Sequence, residues 1–398
     1  MDQISPKASF KNDDKKFDFL IFGADGMQGR IVTRDLLEKG YSVLLSDLSQ
    51  IKLKEMLKKY HRQAAFEPID LRDIDRVTGI ILKSRAEIII NCAEGDWNMN
   101  VYQACLQTRR HIIDLGSRVD MTRDQIKLDK QFKKIEHIAI TGCGSVPGVG
   151  NIMLSYAAKK FDSIETIELG FAWDSNIKKF VVPFSIESIL EEYTLPAPYM
   201  EKGRLKKIKP IKSAQIRNFR AVGKQKIFLV DHPEVYTISH YFKPWGVENI
   251  RFYASFPQHS ERVINTLMDL TFADKRIVNF EETDILPDEF LAQLLKRMKQ
   301  PRGYKEWENV WALIEGRARR RPKRILMECI VPPLKGWEDA GCNIDTGFPA
   351  SIIAQMIKYG DINKAGSFAP EGIVPEKLFF KELRKKKMRV YENGKVIN

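Results

Sequence analysis

The chain has 398 residues, of which 43% are hydrophobic and 29% are charged, which is the balance of a soluble globular protein. Its length allows two or three domains with sizeable cores, and its apolar runs are too short to span a bilayer. Five cysteines without a C-x-x-C pair indicate neither a disulfide framework nor a zinc site, so the sequence favours a reducing cytoplasm.

The net charge of +13 comes largely from clustered cations. The clusters are Lys206-Lys207, the run RARRRPKR at 317–324, and Lys385-Lys386-Lys387. The arginine run lies between apolar segments without interspersed aromatic residues, so we interpret it as a solvated hairpin end, with nucleic-acid binding as the weaker alternative. The positive field would still attract anionic substrates or cofactors.

Residues 1–16 contain no hydrophobic segment of the signal-peptide type. We predict a disordered leader here and a first domain that begins at residue 17.

Residues 17–47 carry the strongest functional signal of the chain. An apolar run from Phe17 to Phe22 predicts a buried strand, and a G-x-x-G-x-x-G loop follows at 23–29. Residues 30–39 predict a helix that ends at Gly40, and 41–45 predict a second strand just before Asp47. Strand, glycine loop, helix, strand and terminal acid in this order predict a dinucleotide site; the alternative is an ordinary glycine turn.

The three glycines of the loop have separate predicted roles. Gly23 permits the tight turn, Gly26 lets the backbone approach a pyrophosphate, and Gly29 lets the helix pack close to the strand. The phosphate then lies at the helix N-terminus, where free N–H groups and the helix dipole favour an anion. Further cofactor-binding residues predicted in this loop are Asp25, Met27 and Gln28.

Asp47 indicates which dinucleotide is bound. It lies roughly 20 residues past the loop, where a carboxylate accepts hydrogen bonds from the adenosine ribose. The same carboxylate repels a 2′-phosphate, so we predict NAD. NADP stays possible because Lys52 and Lys54 soften that repulsion.

Strands and helices alternate through the first third of the chain. Strands are predicted at 86–92, 111–115 and 137–141, and a helix at 98–108. This alternation predicts an α/β fold with a Rossmann doubly wound parallel sheet, in which ligands bind beyond the carboxyl ends of the strands. The predicted cofactor-binding residues at these strand ends are Cys92, Ala93, Trp97 and Asp114.

The pattern changes after Gly142. A helix follows Pro147-Gly148, and the segments beyond it are mostly strand-like with only a few helices. We therefore predict a second α+β domain that contains a mixed sheet and covers 148–348. The segments that predict its strands are 166–173, 226–230, 249–256, 310–316 and 325–331.

Several motifs together resemble the saccharopine dehydrogenase-like oxidoreductases. They are GADGMQGR at 23–30, NMNVYQACLQTRRHIIDLG at 98–116, GSVPGVGNIMLSYAA at 144–158, PFSIESILEEYT at 183–194 and TGFPASIIAQMIKYGDINKAGSFAPEGIVP at 346–375. The glycine loop is common to many folds, whereas the blocks that begin at 147 and 346 are far more specific. The resemblance runs from residue 17 to the C-terminus, and within the family it is strongest to the lysine 6-dehydrogenases.

The resemblance implies a Rossmann domain at 17–147 whose chain leaves for a catalytic and dimerising α+β domain. The chain then returns at 349–398 to complete the first domain. Members use NAD or NADP to oxidise or form a C–N bond of an amino acid or related amine, such as saccharopine, carboxynorspermidine or the lysine ε-amine. A homodimer and a small amino-acid substrate are therefore expected.

Oxidation of an amine needs a base, because an alkylammonium group has a pKa near ~10.4 and must lose its proton first. Asp120 is our candidate for the base or its orienting group, with a helix N-cap as the alternative. Arg118 is a candidate clamp for a substrate carboxylate, with a surface ion pair as the alternative. Asp174 is a candidate partner for a substrate ammonium group, and His232 and His240 are interpreted as structural.

Three more residues are expected beside the substrate. The flat side chain of Trp97 can lie against the nicotinamide or the substrate, or it can have a packing role alone. Trp173 and Gly148 are predicted to line the substrate pocket. Cys143 precedes a predicted helix, whose N-terminus would lower a thiol pKa, but we interpret it as a small buried residue, with the activated thiol as the alternative.

The sequence thus predicts an NAD(P)-dependent oxidoreductase acting on a C–N bond of an amino acid or related amine, without a metal. The alternative is a non-catalytic dinucleotide-binding sensor or scaffold. That alternative stays open because Cys143 and residues 171–174 depart from the family pattern at the predicted substrate pocket.

Overall fold

The structure is a computed structural model, and it describes residues 16–182, 185–295 and 297–398. The predicted leader lies outside the described residues except for Lys16, and so do Pro183 and Phe184 of the motif at 183–194.

The strands form two large sheets and one small hairpin. In chain order they are β1 Phe19–Phe22, β2 Val43–Asp47, β3 Ala64–Pro68, β4 Ile88–Asn91, β5 His111–Asp114, β6 Ile138–Ile140, β7 Ser163–Ser175, β8 Ala197–Glu201, β9 Arg204–Ile208, β10 Gln215–Phe219, β11 Gly223–Leu229, β12 Asn249–Ala254, β13 Val278–Phe280, β14 Thr283–Ile285, β15 Glu306–Ala318, β16 Arg321–Val331, β17 Gly366–Phe368, β18 Arg389–Glu392 and β19 Lys395–Val396.

The helices connect and cover these sheets. They are α1 Met27–Glu38, α2 Lys54–Lys59, α3 Ile74–Ser84, α4 Asn98–Thr108, α5 Val119–Lys127, α6 Asp129–Lys134, α7 Val149–Ala158, α8 Ile186–Thr194, α9 Glu234–Tyr241, α10 Gln258–Asp269, α11 Pro287–Leu295, α12 Ile344–Lys358 and α13 Glu376–Lys385. Within the described residues, no helix combines the length and apolarity needed to cross a membrane.

The first sheet has the strand order β17-β6-β5-β4-β1-β2-β3, and all its neighbouring strands pair in parallel. Its central strands β1 and β4 are buried along their whole length, as their unbroken apolar sequences require. The strand order reverses direction between β1 and β4, and ligands of such sheets bind in the crevice at this point. The predicted Rossmann fold is therefore confirmed.

The second sheet is mixed, as predicted. Its strands follow the order β10-β11-β12-β7-β15-β16-β18-β19. Strands β12 and β7 pair in parallel, whereas the other neighbouring strands of this sheet pair antiparallel. The central strands β7 and β15 are each 13 residues long. Side chains alternate between the two faces of such strands, and one face of β7 and β15 is turned toward the first sheet's helices and loops.

The C-terminal region is divided between the two sheets, which corrects the predicted return of 349–398 to the first domain. Strand β17 extends the parallel sheet beside β6, whereas β18 pairs with β16 of the mixed sheet. Helix α12 begins at Ile344, before this segment, and holds Pro349 in its interior.

Helices α1 and α12 pack against each other closely enough that only glycine fits at the contact. A Cβ atom on Gly347 would lie 2.4 Å from Cγ2 of Ile31. Near this contact, Nε2 of Gln28 donates a hydrogen bond of 3.1 Å to Oδ1 of Asn343. The contact therefore joins the glycine loop to the segment that precedes α12.

We expect Gly347→Ala to destabilise the fold by ~1–3 kcal/mol, because the added methyl group overpacks the contact with Ile31. The matched control is Gly79→Ala in α3, where a Cβ would meet nothing within 4 Å; replacing a helical glycine there should be neutral or stabilising by about 0.5–1 kcal/mol. Thermal and urea unfolding measure both variants. Equal stability of the two variants would contradict the packing argument.

Candidate active site

A cavity of about 910 Å³ opens between the carboxyl ends of the parallel strands and one face of the mixed sheet. The first wall is formed by Gly26, Met27, Gln28, 92–96, 115–118 and 145–147. The opposite wall is formed by Phe171, Trp173, Glu306, Glu308, α8, α11, 231–233 and 342–346. The cavity thus lies where the strand order of the first sheet predicts a ligand.

The glycine loop fits the pyrophosphate of a dinucleotide. Gly26 is the N-cap of α1 and offers no side-chain hydrogen bond, so the first N–H groups of the helix stay available to an anion. A Cβ on Gly26 would meet only the carbonyl oxygen of Gly23, at 3.1 Å, and would fill the space in front of the helix. Gly29 is different, since its Cβ would collide with that oxygen at 2.1 Å.

The two acids predicted to bind the cofactor hold the loop in place. Oδ2 of Asp47 accepts a hydrogen bond of 2.9 Å from the N–H of Asp25, and Oδ1 accepts one of 2.7 Å from the N–H of Leu48. Oδ1 of Asp25 in turn accepts a hydrogen bond of 2.7 Å from the N–H of Lys52. Neither acid lines the cavity itself, but Asp47 ends β2 where a ribose would lie.

The end of β4 contacts the glycine loop. Gly23 has a φ of +68°, and a Cβ there would lie 2.4 Å from the nitrogen of Ala93. Cys92 and Ala93 both line the cavity, and their role in cofactor binding stays a prediction. Trp97 does not line it, contrary to our prediction, because it belongs to the short 3-10 turn Gly95–Trp97 and its neighbour Asp96 faces the cavity instead.

Asp114 is a buried structural residue and does not line the cavity, which corrects its predicted cofactor role. Its carboxylate accepts hydrogen bonds of 2.7 Å from the Tyr102 hydroxyl and 2.6 Å from Nε2 of Gln125. It also accepts bonds from the N–H groups of Gly116 and Gly142. Burial raises the pKa of Asp114, and these donors oppose that rise. The carboxylate therefore fixes the loops that follow β5 and β6.

Arg118 lines the cavity, but Asp120 does not. Arg118 is the N-cap residue of α5, so Asp120 falls within the first turn and is not the cap that the alternative interpretation required. The Asp120 side chain is 63% exposed. Arg118 forms an ion pair of 3.0 Å with Asp96, and its distance to Asp120 is 3.8 Å. This matches the surface ion pair that we weighed against a carboxylate clamp.

Trp173 and Asp174 lie on opposite faces of β7. Trp173 is buried, lines the cavity as predicted, and its Nε1 has no hydrogen-bond partner within the described chain. Asp174 does not line the cavity and forms an ion pair of 2.5 Å with Lys178. The prediction that Asp174 meets a substrate is therefore contradicted, because adjacent residues of a strand point in opposite directions.

Gly148 and Cys143 both lie outside the lining of the cavity. Gly148 lies behind the cavity wall, and a Cβ there would be 1.8 Å from the carbonyl oxygen of Gly144, so it serves a tight turn. Cys143 is fully buried, and α7 begins only at Val149. Burial raises the pKa of the Cys143 thiol well above its ordinary value, which agrees with our interpretation of Cys143 as a small buried residue.

The sequence analysis missed a group of carboxyl side chains on the far wall. Glu306 and Glu308 lie on β15, and Glu308 is the direct neighbour of Trp173 across the β7–β15 pair. Asp345 lies in the first turn of α12, and Glu192 on α8. All four line the cavity. The available signal was the strand period, because Glu306 and Glu308 are two residues apart and share a face.

Burial shifts the ionisation of these acids. It raises the pKa of Glu192 to about 8 and the pKa of Glu306 above its ordinary value. Glu308 and Asp345 are hydrogen-bonded to each other. Burial and the charge of Asp345 raise the pKa of Glu308 strongly, whereas burial raises the pKa of Asp345 only to about 6 because several hydrogen bonds oppose it. Both effects favour the proton on Glu308 and the negative charge on Asp345.

The cavity is acidic although the chain carries a net charge of +13. Its lining residues include nine acids but only two basic residues, Arg118 and His232. Within the described residues, no group of three or more His, Cys, Asp and Glu side chains is placed to hold a metal ion. The excess of acids suits an organic cation, and the glycine loop on the opposite wall suits a dinucleotide, so the fold and the site together define a dinucleotide-binding protein.

Comparison with known proteins identifies the family. The saccharopine dehydrogenase NADP binding domain matches residues 19–162, and the saccharopine dehydrogenase C-terminal domain matches residues 136–388. The chain belongs to the saccharopine dehydrogenase family. It is an NAD(P)-dependent oxidoreductase acting on the C–N bond of an amino acid or related amine, as predicted, and this identity favours an enzyme over the non-catalytic sensor.

Two curated relatives and one solved structure are similar over most of the chain. Carboxynorspermidine synthase of Vibrio cholerae is 22% identical over 350 residues, which is 83% of each chain. Carboxyaminopropylagmatine dehydrogenase of Synechocystis is 24% identical over 309 residues, which is 73% of this chain and 76% of the relative. The L-Glu-forming saccharopine dehydrogenase of Saccharomyces cerevisiae has a TM-score of 0.73 at 11% identity, covers 96% of this chain and 100% of its own, and shares the fold.

We expect Gly26→Val to abolish dinucleotide binding while the protein stays folded, because the side chain fills the space in front of α1 without colliding with the rest of the loop. Calorimetric titration with NADH and NADPH measures the affinity, and circular dichroism checks the fold. Gly79→Ala, remote from the cavity, is the control. Unchanged affinity in a folded Gly26→Val variant would refute the assignment of this loop.

Proposed function

We propose that the enzyme forms or cleaves the secondary amine of a carboxyl-bearing polyamine. The observation that carries this proposal is the set of buried carboxyl groups on the far wall of the cavity. Glu306 and Asp345 are only 3% exposed. They share one largely buried wall with Glu308 and Glu192, so four carboxyl groups face the same part of the cavity. Buried acceptors of this kind call for donors from a ligand.

A cationic amine is the ligand that best satisfies these acceptors. An ammonium group has three N–H donors, and hydrogen bonds between ionised partners are about twice as strong as neutral ones. The pair of Glu308 and Asp345 carries one negative charge, so it matches one ammonium group. Glu306 and Glu192, whose pKa values burial raises, accept further donors along the same wall.

The charges of the cavity also indicate the class of amine. A polyamine with one carboxylate stays cationic even when its reacting nitrogen is neutral, whereas lysine then has no net charge and saccharopine is an anion. The nine acids that line the cavity therefore favour the carboxylated polyamine over lysine, the substrate that the sequence resemblance suggested. Both curated relatives are named for carboxylated amines, which supports this class.

The residues of the first wall fit the cofactor. Gly26, Met27 and Gln28 would hold the pyrophosphate at the start of α1, and Asp47 would face the adenosine ribose. Cys92 and Ala93 would lie beside the nicotinamide end. When bound, NAD(P) accepts or supplies the hydride of the C–N bond. The protein side chains then have to bind the amine, orient it and move its proton.

Substitutions at Asp345 and Glu308 test the substrate class. The assay follows oxidation of NADPH and NADH with diamines and triamines in the presence of a carboxyl-bearing aldehyde, with lysine as the comparison amine. Saccharopine is tested in the opposite direction, by following reduction of NADP and NAD. Asp345→Asn removes the negative charge of the pair, so we expect KM for the cationic amine to rise by about 10–100-fold. Glu308→Gln keeps that charge and retains a donor to Asp345, so its effect should be much smaller.

The control variant is Asp174→Asn, on the opposite face of β7, which should leave KM unchanged. Cofactor affinity should be the same in all three variants. A wild-type preference for saccharopine over every polyamine, or equal KM values for Asp345→Asn and Asp174→Asn, would contradict the proposed substrate class.

We further propose a homodimer formed through the second domain. Large apolar side chains are exposed close together in the chain between the end of α10 and residue 298; they are Leu270, Ile277, Val278, Phe280, Phe290, Leu294 and Met298. Such concentrated apolar exposure commonly marks an interface. Because α11 also supplies Glu289 and Gln293 to the cavity, a partner that covers its outer side would steady this wall.

Phe280→Asp combined with Leu294→Lys should convert a wild-type dimer into a monomer, because burying two charged side chains in an apolar interface carries a large desolvation cost. Leu205→Lys on β9 is the control, since Leu205 is also exposed but lies outside this segment. Light scattering at micromolar concentration measures the mass. A monomeric wild type would refute the dimer.

We also propose the reducing cytoplasm that we predicted from the sequence as the setting of this protein. The five free cysteines support this proposal.

A further inference from the structure

We propose that His232 is the acid–base residue of the reaction and that Glu234 is its positioning residue. This inference rests on the proposed function, because it assigns a role at the same cavity. His232 lies in the connection between β11 and α9, was interpreted as structural from the sequence, and lines the cavity.

The geometry fixes the imidazole ring on two sides. Nδ1 of His232 is hydrogen-bonded to Oε2 of Glu234. The ring stacks on Phe252 with a distance of 3.9 Å between ring centroids and an angle of 2° between the planes. Its side chain is only 18% exposed. Because Nδ1 is taken by Glu234, Nε2 is the ring nitrogen that is left to meet a substrate.

Glu234 is placed to hold the ring and favour its protonated form. It is fully buried at the start of α9, and its second oxygen, Oε1, has no hydrogen-bond partner within the described residues. A buried carboxylate on one ring nitrogen sets the tautomer and stabilises the imidazolium, as in hydrolase triads. Glu192 on α8 and Asp231 beside the ring add two more acidic groups.

These charges act against the effect of burial. Burial disfavours the charged ring, but Glu234, with contributions from Glu192 and Asp231, outweighs it and raises the pKa of His232 above its ordinary value. Among the residues that line the cavity, only Arg118 is another base, and Arg118 is paired with Asp96. Because arginine stays protonated in proteins, His232 is the basic lining residue that can exchange a proton near neutral pH.

In the reduction of an imine, His232 would give the proton on Nε2 to the imine nitrogen. The reduced dinucleotide, when bound, would supply the hydride to the imine carbon, so that C=N becomes CH–NH. The imidazole is left neutral and takes its next proton from solvent. In the opposite direction the neutral imidazole ring accepts the proton of the amine. The ring is then the base that an alkylammonium substrate requires.

The test compares His232→Gln, Glu234→Gln and a matched control, His240→Gln, which changes an exposed histidine of α9. In the reductive assay, kcat of wild type should fall as pH rises through the pKa of His232. His232→Gln should lower kcat by roughly 100-fold or more, remove this limb of the pH profile, and leave KM and dinucleotide affinity within a few-fold. Glu234→Gln should move the limb to lower pH, because loss of the carboxylate lowers the imidazole pKa.

A second measurement does not depend on turnover. Histidine NMR titration of the ligand-free protein, with His232 assigned from its absence in His232→Gln, should give a pKa above the ordinary value of ~6.5 and a lower pKa in Glu234→Gln. A folded His232→Gln variant with wild-type kcat and pH profile would overturn the proposal. A raised KM at unchanged kcat would also overturn it and would make His232 a carboxylate-binding residue. Absence of turnover by the wild type with every amine would instead overturn the proposed function.

Discussion

The close contact between α1 and α12 is the constraint on which the site depends. Gly347 leaves no room for a side chain against Ile31, so two helices that are more than 300 residues apart in sequence meet at their N-terminal ends. One end begins at the glycine loop, and the other carries Asp345. Because the contact sets their separation, it also sets the distance between the dinucleotide groove and the acidic wall. The buried Asp35 reinforces this arrangement, since it accepts from the Ser351 hydroxyl at 2.6 Å and pairs with Lys386.

The second organising element is the alternation of side chains along β7 and β15. Trp173 and Glu308 are direct neighbours across this pair, and Glu306 lies two residues earlier on the same face. This face turns its apolar and acidic groups into the cavity, while Asp174 pairs with Lys178 on the other side. The result is an acidic chamber in a chain of net charge +13. The positive charge therefore lies elsewhere on the surface, where it can attract an anionic dinucleotide without neutralising the substrate wall.

Local patterns predicted the first domain well and the site only in part. The apolar runs and glycine loop gave β1, α1 and β2 within a few residues, because a buried parallel strand and a phosphate-binding turn each have a strong local sequence requirement. The predicted site residues were chosen for their place near strand ends. That choice holds for Cys92, Ala93 and Arg118 at the cavity, but not for Trp97, Asp114, Asp120 or Gly148. A strand end places a residue within a few ångströms of a crevice, yet the turn that follows decides which way each side chain points.

The sequence by itself determined the Rossmann fold, the mixed second sheet, the family and the dinucleotide chemistry, because each follows from periodicity or from motifs of adjacent residues. Only the tertiary structure decided which acids meet across the cavity. Glu308 and Asp345 are hydrogen-bonded although they come from a strand and a helix joined by a long excursion through β16. His232 shows the same dependence, since its ring is set by Phe252 of a neighbouring strand and its cavity position by the docking of two domains. Such contacts arise from the packing of remote elements, and no local pattern encodes them.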